Sequence, residues 1–233
     1  MKHLLKAMTG AALIGFVGYA GSATITVGTP EPDTGNCYPF GCSQSSWDTY
    51  LEVYNASAFP GTISITGLAF FHTQYDNGSD ALNTGTYDIY LSTTSKSVGG
   101  LDTSSVAANQ GSDNALVFSG SLPSSVAFGD SFTLNLLSSF TYDPSLGNLL
   151  MTVTGSGIDS TDSLFLDSNS DIILSRAYLV PGGGQDASGL VTGFVIESTV
   201  AAPEPASLAL VGIALAGVAL AKRRKLRASV AKR

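Results

Sequence analysis

Thr62-Ile63-Ser64-Ile65-Thr66, followed after Gly67 by Leu68-Ala69-Phe70-Phe71, is the stretch on which the reading of this chain turns. Polar and apolar residues alternate across its first five positions, which puts Ile63 and Ile65 on one face of an extended segment. Leu68 to Phe71 continues it as a more buried piece. Thr86-Tyr87-Asp88-Ile89-Tyr90-Leu91 repeats the pattern, with Tyr87, Ile89 and Leu91 on one face. Ala115 to Phe118, Ser131 to Leu136, Asn148 to Thr154, Ile172 to Val180 and Leu190 to Ser198 read similarly. Turn chemistry separates these runs: Asp76-Asn77-Gly78, Val98-Gly99-Gly100, Asp143-Pro144 and Pro181-Gly182-Gly183-Gly184. No amphipathic helical stretch of useful length interrupts them. Many short strands at this spacing predict an all-β fold, a single jelly-roll-like β-sandwich over residues 24–200. The Pro- and Gly-rich stretch from Thr24 to Trp47 is expected to wrap it irregularly.

Both ends have a different character. Lys2 and Lys6 precede an apolar run from Ala11 to Ala20, and Gly21-Ser22-Ala23 offers small residues for cleavage. Residues 1–23 therefore read as a secretory signal peptide, cut before Thr24. Near the other end stand Pro203-Glu204-Pro205, then Ala206 to Ala221 without a charge, then Lys222, Arg223, Arg224, Lys225 and Arg227. The apolar run would make about 24 Å of helix, short for a bilayer core of about 30 Å. Snorkelling lysines and arginines extend such a span, and a temporary anchor has no need of full length. A transmembrane helix at 206–221 and a basic tail at 222–233 are expected. The positive cluster stays in the cytoplasm, which places the rest outside it. The two prolines hold the tripeptide extended, a form that a membrane-embedded processing enzyme could grip. An ordinary C-terminal anchor is the alternative.

On these residues the chain resembles the PEP-CTERM proteins, substrates of exosortase in Gram-negative bacteria. The matching parts are Pro203-Glu204-Pro205, the run Ala206 to Ala221 and the cluster Lys222 to Arg227. Members of the family usually end soon after the cluster, whereas this chain runs on to Arg233. The resemblance implies a sorting signal over 201–233 and exosortase as processing partner. It implies a transient inner-membrane anchor, and a destination at the cell envelope, the outer surface or the extracellular space. It also implies a structural or adhesive role linked to exopolysaccharide or biofilm. Three further phrases are similar to a group of PEP-CTERM surface proteins: Thr86 to Ser92, Leu116 to Gly120 and Phe140 to Leu150. They agree with a β-sandwich and imply no activity.

Charge narrows the function classes. Between the two signals only Lys96 and Arg176 are basic, against seventeen carboxylates, a net charge near −15. Such a surface keeps the domain dispersed, and it excludes nucleic acid, whose binding requires clustered Lys and Arg. Cys37 and Cys42 are the only cysteines, and in an exported protein they are expected to form a small disulfide loop. Asp167-Ser168-Asn169-Ser170-Asp171 carries the D-x-N-x-D spacing of calcium loops, in which Asp167, Asn169 and Asp171 would be the ligands. Ile172 stands where such a loop has glycine, and Tyr178 where it has glutamate. Asp76-Asn77-Gly78-Ser79-Asp80 is equally incomplete. Solvated turns are the alternative for both, and no other cofactor is expected.

Enzymatic chemistry finds little purchase. His72 is the one histidine between the signals, and nothing selects a serine or carboxylate to join it in a triad. It is expected at a strand end with its polar tip in water. Trp47 with Tyr50, Tyr54, Tyr75, Tyr87 and Tyr90 would suit a sugar-stacking platform if exposed, and core packing if buried. A carbohydrate-binding module is thus the alternative to the structural role. A secreted hydrolase, using His72 or a carboxylate pair, is the second alternative.

Overall fold

The computed structural model describes residues 22–42, 48–76, 79–159, 163–179 and 184–197. Trp47, Asn77, Gly78, the sorting tripeptide, the expected membrane helix and the basic cluster lie outside the described residues, as do 1–21 of the signal peptide. Among the described residues no helix is long and apolar enough to cross a membrane. Ser22–Glu197 forms one compact unit.

That unit is nearly all β and its strands pair antiparallel. The described strands are β1 (Ser22–Val27), β2 (Gly35–Asn36), β3 (Thr49–Tyr54), β4 (Ile63–His72), β5 (Thr86–Thr94), β6 (Ala115–Gly120) and β7 (Asp130–Tyr142). They continue with β8 (Asn148–Ser156), β9 (Leu166–Asn169), β10 (Leu174–Leu179), β11 (Gln185–Asp186), β12 (Gly189–Leu190) and β13 (Thr192–Glu197). One sheet runs β1-β13-β4-β7, a second β11-β10-β3-β8-β5-β6, and a small third one β12-β9-β2.

The opening stretch forms β4, with one irregularity that explains its pattern. Ile63 and Ile65 face the core, and the register against β7 and β13 shifts at Thr66. The extra residue changes the parity of the strand, so Leu68, Phe70 and His72 continue the buried row from even positions. Tyr87, Ile89 and Leu91 of β5 are fully buried, as the alternation predicts. Rings from the first two sheets meet in the core: Tyr54 of β3 stands 5.0 Å from Phe194 of β13, edge to face.

Two segments depart from expectation. Ser22–Val27 is a strand rather than irregular wrap, and its partner is the last strand, β13, with Ser22 opposite Glu197. The sequence SATITV alternates, but it abuts the apolar leader and ends at Gly28, which hides a short strand between two stronger signals. β3, TYLEVY, carries no visible alternation because both its faces are buried. Tyr50 and Tyr54 point into the main core, while Leu51 and Val53 pack under Leu101 of the β5–β6 connection.

Cys37 and Cys42 form the expected disulfide, with Cα atoms 5.1 Å apart. The loop inside it is a hydrogen-bonded turn, with Gly41 N and Cys42 N both donating to Cys37 O. A side chain at Gly41 would strike the Leu164 carbonyl, so only glycine lets the turn lie flat there. Replacing both cysteines by serine is expected to cost about 2 kcal/mol, the loop-closure value for so short a ring. Urea unfolding of the two proteins measures it.

Candidate functional site

The first three residues of the D-x-N-x-D segment lie in a strand, and Ser170 and Asp171 follow it as a bend. Asp167 and Asn169 belong to β9, paired with β2 on one side and β12 on the other. Asp167 is fully buried, and its carboxylate accepts from Thr73 N at 2.9 Å, Thr73 Oγ1 at 2.5 Å and Gln74 N at 2.9 Å. Asn169 Nδ2 donates to Thr29 O at 2.8 Å and Glu31 Oε1 at 3.0 Å. Asp171 Oδ1 accepts from Ile172 N at 2.6 Å. Asp167 and Asn169 are thus engaged with separate distant segments, and Asp171 with its own neighbours. Among the described residues no group of three or more His, Cys, Asp or Glu side chains is placed to hold a metal. Spacing alone suggested ligation, but β pairing sends Asp167 into the protein, where it staples the chain leaving β4 to β9.

These staples frame a cleft of about 310 Å³. Its apolar wall is Tyr75 and Phe165, whose ring centroids are 5.4 Å apart. Gly35 of β2 is the floor under them: a Cβ there would come within 2.8 Å of the Tyr75 ring and 2.7 Å of Phe165 Cβ. Hydroxyls of Thr34, Ser168, Ser170 and Ser188 border the cleft, with the Asp33 carboxyl and the Arg176 side chain. Glu31 holds one rim, accepting from Thr34 Oγ1 at 3.2 Å, Asn169 Nδ2 at 3.0 Å and Ser170 N at 3.2 Å. Replacing Asp167 by alanine leaves three donors without an acceptor, so it is expected to cost about 2–4 kcal/mol. Guanidinium unfolding measures the loss, and Tyr75, two residues from Thr73, should become more accessible by fluorescence quenching.

Behind the cleft lies a buried polar cluster that no motif announced. Arg176 of β10 is half-buried, with Nε and Nη2 each 3.1 Å from Asp186 Oδ2 and its guanidinium 5.4 Å from the centre of the Tyr178 ring. Directly across the ladder from Arg176 stands Glu52, fully buried. Burial pushes the Glu52 carboxyl up to about 8, against the opposing pull of the Tyr50 hydroxyl, the Leu190 backbone and the Arg176 charge. Tyr50 donates to Glu52 Oε2 at 2.5 Å, while Glu52 Oε1 has no well-formed hydrogen bond among the described residues. Burial also raises the Tyr50 and Tyr54 hydroxyls far above the usual phenol range. The one sequence signal for this cluster was an acid inside an otherwise apolar and aromatic run, TYLEVY.

The remaining candidates are distributed elsewhere. His72 ends β4 as expected, but it is fully buried, not wet, with Nδ1 3.1 Å from Val126 O and the ring edge-on to Phe128. The even-parity register after Thr66 turns it inward. Asp80 of the second acidic loop lies 3.8 Å from the same Nδ1 and is itself exposed. Tyr50, Tyr54 and Tyr87 are fully buried and pack the core, so they form no open platform. Tyr75 and Tyr90 are partly exposed, and of the two only Tyr75 lines the cleft.

Comparison with known proteins adds the end of the chain. Residues 201–225 match the PEP-CTERM protein-sorting motif. The match covers Pro203-Glu204-Pro205, the apolar run and the basic cluster as far as Lys225. The motif marks the chain as a target of exosortase and as an exported protein. No curated protein and no solved structure matches the chain.

Proposed function

We propose that this PEP-CTERM protein is an exported component of the cell surface or extracellular matrix, with a structural or adhesive role linked to exopolysaccharide or biofilm. The observation that carries the reading is the sorting motif at 201–225, which follows the compact unit Ser22–Glu197 after only a few residues. In this reading residues 1–23 are a cleaved signal peptide. The run 206–221 is a transient inner-membrane anchor, and exosortase removes it near Pro203-Glu204-Pro205. Cleavage before Thr24 would take the first two residues of β1 and leave Thr24 to Val27 paired with β13.

The folded part is proposed to be one jelly-roll sandwich. Set aside the short strands and β10, and number the eight others in chain order. One sheet then reads first-eighth-third-sixth, the other second-seventh-fourth-fifth, the order produced by two Greek keys. A non-catalytic role goes with this. Burial of His72 supports it, since the ring has no open face for a substrate. The acidic surface argues against nucleic acid as a partner.

Intact-mass analysis of the protein recovered from the envelope and medium of its native host tests the reading. The expected mass lacks residues 1–23 and everything beyond the tripeptide. A mass that keeps Ala206 to Arg233 would mean a plain membrane anchor and would remove the support for a matrix role.

A further inference from the structure

We propose that the cleft beside β2 and β9 is a saccharide site, selective for neutral over uronic-acid sugars. The proposal deepens the matrix reading above by naming a ligand class for one place on the domain. Three properties of the cleft point to it. Its apolar wall is a pair of rings, Tyr75 and Phe165, and aromatic surfaces pack well against the C–H faces of a pyranose. Its lining is hydroxyl-rich, and the Asp33 carboxylate offers an acceptor for vicinal sugar hydroxyls. Its volume of about 310 Å³ lies at the small end of ligand pockets, room for one or two sugar rings.

The walls are also held in place before any ligand arrives. Tyr75 cannot sink further, because it already lies against the Gly35 backbone and Phe165. The chain leading to it is tied to Asp167 by three hydrogen bonds. Glu31 fixes the Thr34 and Ser170 rim, and Asp186 fixes Arg176. A site whose groups are set by a second layer of bonds loses little freedom on binding.

Charge decides between sugar classes. Among the described residues the one cation lining the cleft is Arg176, which already has Asp186 at 3.1 Å. Asp33 lines the cleft and Glu31 stands on its rim, so the local balance is negative within a domain of net charge near −15. A uronate would enter against that field, and a neutral sugar would not.

The test uses the full chain in a sugar-free zwitterionic detergent on an array of immobilised neutral and uronic-acid oligosaccharides. The best neutral glycan is then titrated by calorimetry. Neutral glycans should bind and uronates should not. Tyr75→Ala should weaken binding about five- to ten-fold, and Asp33→Asn about ten-fold, each with an unchanged far-ultraviolet circular dichroism spectrum. Should Tyr75→Ala fail to fold, Asp33→Asn, on an exposed turn, decides the matter. Absence of binding to every neutral glycan at millimolar concentration overturns the proposal. So do uronates bound as tightly as neutral sugars, or wild-type affinity in a folded variant. A protein correctly trimmed by mass yet blind to sugars would sink this site and leave the sorting reading intact.

Discussion

Phe40→Ala is expected to destabilise the domain by about 3–5 kcal/mol, or roughly 6–20 °C in Tm for a unit of this size. Phe40 sits inside the Cys37–Cys42 loop and is fully buried. Its ring lies 4.8 Å from Phe70, 6.1 Å from Phe132 and 5.5 Å from Tyr87, all edge to face. Phe70 and Phe132 belong to β4 and β7 of one sheet, and Tyr87 to β5 of the other. The ring therefore packs against both sheets although it comes from a loop. The loop cannot collapse to close the gap, because Asn83 N is bonded to Phe40 O at 2.9 Å and Asn83 Nδ2 to Cys42 O at 2.7 Å. Differential scanning calorimetry measures the loss. A cost below 1 kcal/mol would show that the loop merely covers the core. Comparison with the disulfide deletion, at about 2 kcal/mol, separates the plug from the clasp that holds it.

Glu52→Gln should change stability in a pH-dependent way and become the more stable protein at alkaline pH. The folded carboxyl is raised to about 8 by burial, while in the unfolded chain it titrates near 4.5. A carboxyl raised by folding favours the native state below its unfolded pKa, where it is neutral in both states. That advantage is lost as pH rises from about 4.5 to about 8, at about 1.4 kcal/mol per pH unit. Glutamine never ionises and escapes this loss. At pH 5 the variant should be the weaker one by about 1–2 kcal/mol, since its amide nitrogen falls where Glu52 Oε1 has no well-formed hydrogen bond among the described residues. By pH 9 the sign should have reversed, with the variant ahead by a few kcal/mol. Paired urea titrations at pH 5, 7 and 9 read the difference, in which every other titrating group cancels. A difference that stays flat across that range would mean Glu52 is ionised throughout, held by Arg176.

Much of the β architecture was legible because alternation survives where one face of a strand is wet. β4 and β5 were placed within a few residues of their bounds on that basis, and β7 at its start, although it runs on past Leu136 to Tyr142. β3 was not, because both its faces are covered and a doubly buried strand shows no period. Its acid at position 52 looks like surface in the sequence and is interior in the fold. The cleft had no signature of its own. Its components come from the turn before β2, the loop after β4, β9 with its flanking residues, β10 and the β11–β12 turn. The strongest local pattern there, Asp167 to Asp171, pointed to a cation, because ligand spacing and strand-end hydrogen bonding use the same short polar residues.

The sequence by itself determined where the chain is sent and what class of fold it makes. A sorting motif is read as a linear segment by a processing enzyme, and period-two alternation is a local property of extended backbone. Only the tertiary structure decided which polar side chains would be buried, which tyrosines would be open, and that Tyr75, Asp33 and Arg176 would share one cleft. Those outcomes depend on pairings between strands far apart in the chain, such as β1 with β13 and β2 with β9. No local pattern encodes such partners, since any exposed β edge offers the same backbone donors and acceptors.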